Sequence, residues 1–155
     1  MANACPCEAK VAYAQCCAPL HRGQRIAETA SELMRSRYSA FVRKEIDYLV
    51  ETLDPEHDDR RLPEDELRAH FRQSCREVRL MGLLVLDAMT QGDTAEVLFH
   101  AKRFIRGQNH SFVERSVFTL RREGWRYRDG ELYLARTVPK GITLLSFREH
   151  FAGAG

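Results

Sequence analysis

VRLMGLLVLDAMTQGDTAEVLFHAKRFIRGQNHSFVERSVFTLRREGWRYRDGELYL, residues 78–134, is the stretch whose reading decides the fold. Its apolar residues recur in short runs, from Val78 to Met89, Thr94 to Arg106, Asn109 to Arg121 and Trp125 to Leu134. Gln91-Gly92-Asp93, Gly107-Gln108 and Glu123-Gly124 separate the runs, and glycine-containing pairs between such runs mark hairpin turns. The segment therefore predicts an antiparallel meander of four strands.

Working outward toward the N-terminus, the period changes from two to helical. Thr29 followed three positions later by Glu32 reads as a capping box, and Met34, Tyr38, Phe41, Val42, Leu49 and Leu53 then recur at helical spacing. Asp54-Pro55 stops the run, so the spacing predicts one helix over about Ser31 to Leu53. Asp54 to Arg61 reads as a charged loop. Pro63 opens a second helix with Leu67, Phe71, Ser74 or Cys75, and Val78 on one stripe, where Cys75 packs as a small hydrophobe. Two helices ahead of a meander make an α+β domain, because neither element can bury its apolar side alone. Beyond the meander, Ile142, Leu144, Leu145, Phe147 and Phe151 predict a final strand or helix against the body.

The chain has 155 residues, which suits one compact domain with a small appendage. Lys plus Arg total 24 against 22 acids, a net +2 that gives no long-range pull toward a specific nucleic acid or a membrane surface. No stretch approaches the roughly 18 apolar residues of a membrane span, and no basic segment precedes an apolar run at the N-terminus. A cytoplasmic protein is expected.

Four of the five cysteines, Cys5, Cys7, Cys16 and Cys17, crowd the N-terminus, and Cys75 stands apart. Disulfides do not persist in a reducing cytoplasm, so clustered thiols there point to metal or redox chemistry. The pairs Cys5-Pro6-Cys7 and Cys16-Cys17 can converge across a short turn, which suits the four-sulfur tetrahedral coordination of Zn2+. His21 is a substitute ligand should one cysteine of the second pair point away. A redox-sensing thiol cluster and incidental free cysteines are the competing readings. A closed site of four thiolates has no open position to activate water, so such a zinc is structural and folds a knob too short to make its own core. Residues 1–22 form that knob, and the polar segment around Gly23 connects it to the body.

Cys5-Pro6-Cys7 through Tyr13-Ala14-Gln15-Cys16-Cys17-Ala18-Pro19-Leu20-His21 resembles the SEC-C zinc motif, first known in the SecA translocation ATPase. With Leu33-Met34-Arg35-Ser36-Arg37-Tyr38-Ser39-Ala40-Phe41 and Glu114-Arg115-Ser116, the chain resembles the YchJ-like family of bacterial proteins. The resemblance implies a nuclear transport factor 2-like body over residues 27–140, in which helices pack inside a bent antiparallel sheet to form a cone with a pocket, followed by a tail at 141–155. It also implies docking of the knob on a protein partner such as a chaperone, the ribosome or translocation machinery, and a homodimer through the outer face of the sheet. Where the motif has Gly-Ser-Gly after its second cysteine, this chain has Glu8-Ala9-Lys10, so the tight glycine turn is expected to be lost.

Inside the body, the period of two puts Phe112, Glu114, Ser116, Phe118 and Leu120 on one face of the third strand, and Val113, Arg115, Val117, Thr119 and Arg121 on the other. Glu114 thus interrupts an apolar row. It is either desolvated and able to act as a base, or neutralised by a buried partner, for which Arg103 and Arg37 are candidates. His100, His110, Tyr38 and Tyr127 are the other polar groups that can converge there. The motifs Arg35-Ser36-Arg37-Tyr38 and Glu114-Arg115-Ser116 read as a polar latch between helix and sheet. They read equally as the floor of an anion pocket, since Arg37, Arg103 and Arg115 carry fork-shaped donors. The expected pocket is Arg37, Tyr38, Arg103, Glu114 and Arg115. Three functions follow: a protein-interaction adaptor built on the zinc knob, a binding domain for a small anionic ligand, and a hydratase- or isomerase-type enzyme with Glu114 as its base, the last implied by the superfamily.

Overall fold

The computed structural model describes residues 3–152. Helix α1 (Ala18–His21) ends the cysteine-rich segment, and α2 (Ala30–Arg43), α3 (Ile46–Glu51) and α4 (Glu64–Glu77) precede the sheet. Strands β1 (Val78–Gln91), β2 (Thr94–Ile105), β3 (Gln108–Asn109), β4 (Phe112–Arg121) and β5 (Gly124–Leu134) follow, and α5 (Leu144–His150) closes the chain. The result is an α+β domain whose sheet runs β1-β2-β4-β5, every neighbour antiparallel, with β3 folded onto the end of β2.

Three local outcomes differ from the spacing argument. The helix expected from Ser31 to Leu53 is two helices, because Lys44 adopts a left-handed φ of 61° and its neighbour's N–H returns to the Ala40 carbonyl. The apolar period runs through the break, since Tyr48, Leu49 and Val50 of α3 are buried in the same core. Only half of the capping box forms. The Thr29 hydroxyl accepts from Glu32 N at 3.0 Å, but the Glu32 carboxylate accepts from Glu28 N and Arg25 instead of the cap residue. The expected third strand splits into β3 and β4, as the Asn109 side chain caps Ser111 N at 2.8 Å and the Ser111 hydroxyl takes Arg103 N.

Both faces of the sheet's centre are covered. Leu33, Met34, Leu53, Leu67, Phe71 and Phe118 belong to the main core between helices and sheet. Leu98 and Val113 point the other way, into a second cluster with Ile142, Leu144 and Phe147 of the tail. Helix α5 is fixed there by the Thr143–Ser146 capping box, by Leu144 N donating to Asp87 Oδ2 at 2.8 Å, and by an ion pair from Arg148 to Glu96. Part of the face expected to form a dimer is thus occupied by the chain's own tail. On the inner side, Asp54 is fully buried and its carboxylate accepts a two-pronged pair from Arg121 at 2.8 and 2.9 Å. Asp54 N also donates to Tyr127 O and Tyr127 N to Thr52 O, which stitches the end of α3 to β5.

Phe147 is 0% exposed and anchors α5 through ring contacts with Tyr133 and Phe151. Phe147→Ala is expected to cost about 3 kcal/mol in urea unfolding with a single transition; a change within about 0.5 kcal/mol would mean that the tail is not part of the folding unit.

Candidate functional site

Two constellations stand out, one at each side of α2. In the first, the four sulfurs of Cys5, Cys7, Cys16 and Cys17 all lie within 4.8 Å of one another. Cys7 to Cys16 is 3.6 Å and Cys16 to Cys17 is 4.0 Å, close to the sulfur–sulfur edge of about 3.8 Å that a tetrahedral metal with 2.3 Å bonds requires. The first pair sits on a tight turn in which Cys5 N bonds Val11 O and Glu8 N bonds Cys5 O. The second pair enters α1 after a short 3-10 turn, Tyr13–Gln15, with Cys17 at the helix N-cap.

A tight turn forms at Glu8-Ala9-Lys10 without glycine. Glu8 and Lys10 hold φ of 63° and 61°, the left-handed region that an L side chain occupies at a cost. The Glu8 side chain compensates by accepting Leu83 N of β1 at 2.8 Å, a contact that glycine cannot make.

Electrostatics also favour a cation. Hydrogen bonds, foremost from Cys17, pull Cys7 down to about 5, whereas burial and the Cys7 neighbour push Cys16 up to about 12, and Cys17 also rises, chiefly through its bond to Cys7. A thiolate at one position suppresses ionisation at the next, and a bound divalent metal removes that conflict. His21 is not in the ligand set. Its Nε2–H donates to Ser36 O at 2.8 Å and its Nδ1 accepts from Tyr13 OH at 2.6 Å, and burial lowers its pKa.

The knob is seated on the body. Arg35 donates to Cys7 O at 2.7 Å, Cys5 Sγ meets Ser39 Oγ at 3.6 Å, and Arg43 lies 3.8 Å over the Tyr13 ring. Ser36 donates to Leu33 O and accepts from Tyr48 OH, and so it joins helix to helix. Within the motif expected to latch helix to sheet, Arg35 and Ser36 therefore latch α2 to the knob and to α3.

The second constellation is a cavity of about 320 Å³ between α2, α4 and the inner face of the sheet. Phe41, Phe71, Phe99, Phe112 and Phe118 give it aromatic walls, and Arg37, Tyr38, Arg103 and Glu114 all line it. Glu114 Oε2 accepts from Ser116 Oγ and from Tyr127 OH, the latter at 3.0 Å, while Oε1 makes no hydrogen bond among the described residues. Burial raises the Glu114 pKa against the pull of those bonds and of Arg37 and Arg103. Gly130 is required here, because a Cβ on it would stand 2.1 Å from Tyr127 OH and 2.9 Å from Glu114 Oε2.

The buried partner expected for Glu114 is a hydroxyl pair and not an arginine. Arg37 NH1 is taken by Leu49 O at 2.8 Å and Thr52 Oγ1 at 2.6 Å, carbonyl and hydroxyl groups at the end of α3. Its guanidinium lies 5.0 Å from the Tyr127 ring centre, and burial pulls its pKa down to about 10. Arg103 donates through Nε to His110 O and stacks 4.4 Å over Phe112. Arg115 is corrected out of the pocket: it lies on the opposite face of β4 and pairs with Glu96 and Glu131. His100 and His110 do not line the cavity either. The spacing argument missed His57, which does line it, with Nδ1 accepting Asp59 N at 3.0 Å and its ring 5.5 Å from Tyr127. Only the loop tied down by Asp54 brings it there, and no local pattern signals that.

An α+β cone with an internal cavity and an N-terminal four-cysteine knob is the class that fold and sites define. Residues 29–130 match the family described as YchJ, middle NTF2-like domain. The chain is 34% identical over 132 residues to protein YchJ of Shigella dysenteriae, covering 84% of each. It is similar to the solution structure of a SEC-C motif containing protein from Rhodopseudomonas palustris, with TM-score 0.71 and 36% identity over 83% of this chain and 97% of that one. The crystal structure of a SEC-C motif containing protein from Psychrobacter arcticus gives TM-score 0.66 and 27% identity, over 90% of this chain and 85% of the other. The chain belongs to the YchJ family. Among the described residues, no helix is long and apolar enough to cross a membrane.

A raised folded pKa means that Glu114 contributes fully below its unfolded value and that this contribution is lost as pH rises through the folded one. Glu114→Gln cannot ionise, so its melting temperature should exceed that of the wild type at about pH 8, and the difference should vanish near pH 4. A pH-independent difference would contradict the burial argument.

Proposed function

We propose that the protein binds a small molecule in the cone, and that its cysteine knob holds a structural zinc ion that fixes the helix forming one wall. The observation that carries the binding reading is Arg37. It is 6% exposed, lines the cavity and has no carboxylate partner among the described residues. Natural cores rarely keep a buried cation unpaired, so a cavity beside one suits a ligand that completes it.

Zinc is supported by the sulfur spacing, and four thiols free of disulfides suit a cytoplasmic setting. The adaptor expected from the motif meets a constraint, since the knob's inner side lies against α2 and β1. A protein partner would read the outer side, where Lys10, Val11 and Ala14 are exposed. Catalysis by Glu114 as a base is a second reading, favoured by its raised pKa and unbonded Oε1, and turnover of the bound ligand would mark it.

Untagged protein purified without chelator should carry one zinc per chain by elemental analysis and native mass spectrometry, and Cys7→Ser should lose it; zinc well below one equivalent contradicts that half. For the cavity, a thermal-shift screen of small acids, amines and neutral aromatics should give hits that Gly130→Val abolishes, because its side chain displaces Tyr127. Hits that persist undiminished in that variant would place binding elsewhere.

A further inference from the structure

We infer that the ligand of the cone is a small monocarboxylate with an aromatic body, its carboxylate forked on Arg37 and sharing a proton with Glu114. The inference rests on the binding reading and goes further by naming the chemical class. Arg37 uses one terminal nitrogen, NH1, on the protein, while Nε and NH2 make no hydrogen bond to any described residue. The free edge of a guanidinium is a planar two-donor fork whose match is a carboxylate. Glu114 offers its unbonded Oε1 in the same cavity, and Ser116 and Tyr127 hold its other oxygen in place. A neutral Glu114 can donate from Oε1 to a bound carboxylate, whereas an ionised one repels it.

The groups facing Glu114 fix the sign of the pH dependence. Arg37 comes from α2, Arg103 from β2 and Tyr127 from β5, and the nearby loop and α4 bring His57, Asp59 and His70 to the cavity wall. Burial keeps His57 toward its neutral form, so it adds little positive charge, and Asp59 opposes the arginines. Burial also shifts Glu114 toward its protonated form, and a ligand's negative charge adds to that shift. Phosphate is disfavoured, since it brings up to two charges and needs more donors than Arg37 and Arg103 offer in a largely aromatic chamber. An amine would meet two guanidinium groups. At about 320 Å³ the chamber stands at the small end of ligand pockets, suited to a single ring with a short acidic arm.

The test is calorimetric titration of the full chain with benzoate and with benzamide, its uncharged counterpart. Benzoate should bind at least about tenfold tighter than benzamide at about pH 6, and at least about tenfold tighter at pH 6 than at pH 9, as Glu114 loses its proton. Glu114→Gln should keep benzoate binding and lose its pH dependence. Arg37→Met should lose benzoate while retaining benzamide. Should Arg37→Met fail to fold, the wild-type comparison and Glu114→Gln decide alone. Benzamide binding as well as or better than benzoate overturns the carboxylate assignment and leaves the binding reading standing; a pH-independent benzoate affinity overturns the shared proton. Binding of neither probe at millimolar concentration overturns this inference and counts against the binding reading as well.

Discussion

Helix α2 has 14 residues, and eight of them from Ala30 to Ala40 are buried, among them Arg37, Ser36 and Ser39. Polar groups survive in such a helix only when each finds a partner, and the knob and the α3 segment supply most of them. Cys7 and Cys5 of the knob take Arg35 and Ser39, and His21 bonds the Ser36 carbonyl. Tyr48 OH of α3 donates to the Ser36 hydroxyl, and the carbonyl of Leu49 accepts from Arg37. Between these polar contacts, Leu33, Met34 and Tyr38 fill the core. The knob, α3 and the cavity wall thus all rest on this one helix.

The break at Lys44 is what makes that sharing geometrically feasible. A continuous helix would carry Tyr48 and Leu49 away along the axis, whereas the left-handed cap folds α3 back beside α2. The end of α3 then presents a carbonyl and the Thr52 hydroxyl to Arg37, and Asp54 ties the following loop to β4 through Arg121 and to β5 through the Tyr127 carbonyl. That tie sets Tyr127 against Glu114 and brings His57 to the chamber. Glu8, Lys10 and Lys44 hold left-handed backbone, and at Glu8 a side-chain contact to Leu83 N helps to hold it in place.

Much of this was legible in the chain. Gly92, Gly107 and Gly124 mark the turns of the sheet, Thr29 marks the start of α2, and Pro63 precedes α4. The cysteine spacing pointed to one cluster because ligand convergence over short loops is a local property. Alternation put Glu114 on the inner face of β4 and Arg115 on the outer one; counting Arg115 into the pocket for its chemistry overrode a phase that was right. What was not legible depends on distant partners. No glycine or proline announces the Lys44 break, and the hydroxyls that hold Glu114 come from its own strand and the next. His57 reaches the cavity through a buried aspartate 67 residues away from its arginine.

Hydrogen–deuterium exchange of the full chain, with added Zn2+ and after chelation, tests the shared helix most directly. With α2 as the common support, chelation should raise exchange in residues 3–22 and also along 30–43 and around Leu83, where the knob's contacts end. Faster exchange confined to residues 3–22, with α2 and β1 unchanged, would contradict the account and make the knob an independent appendage.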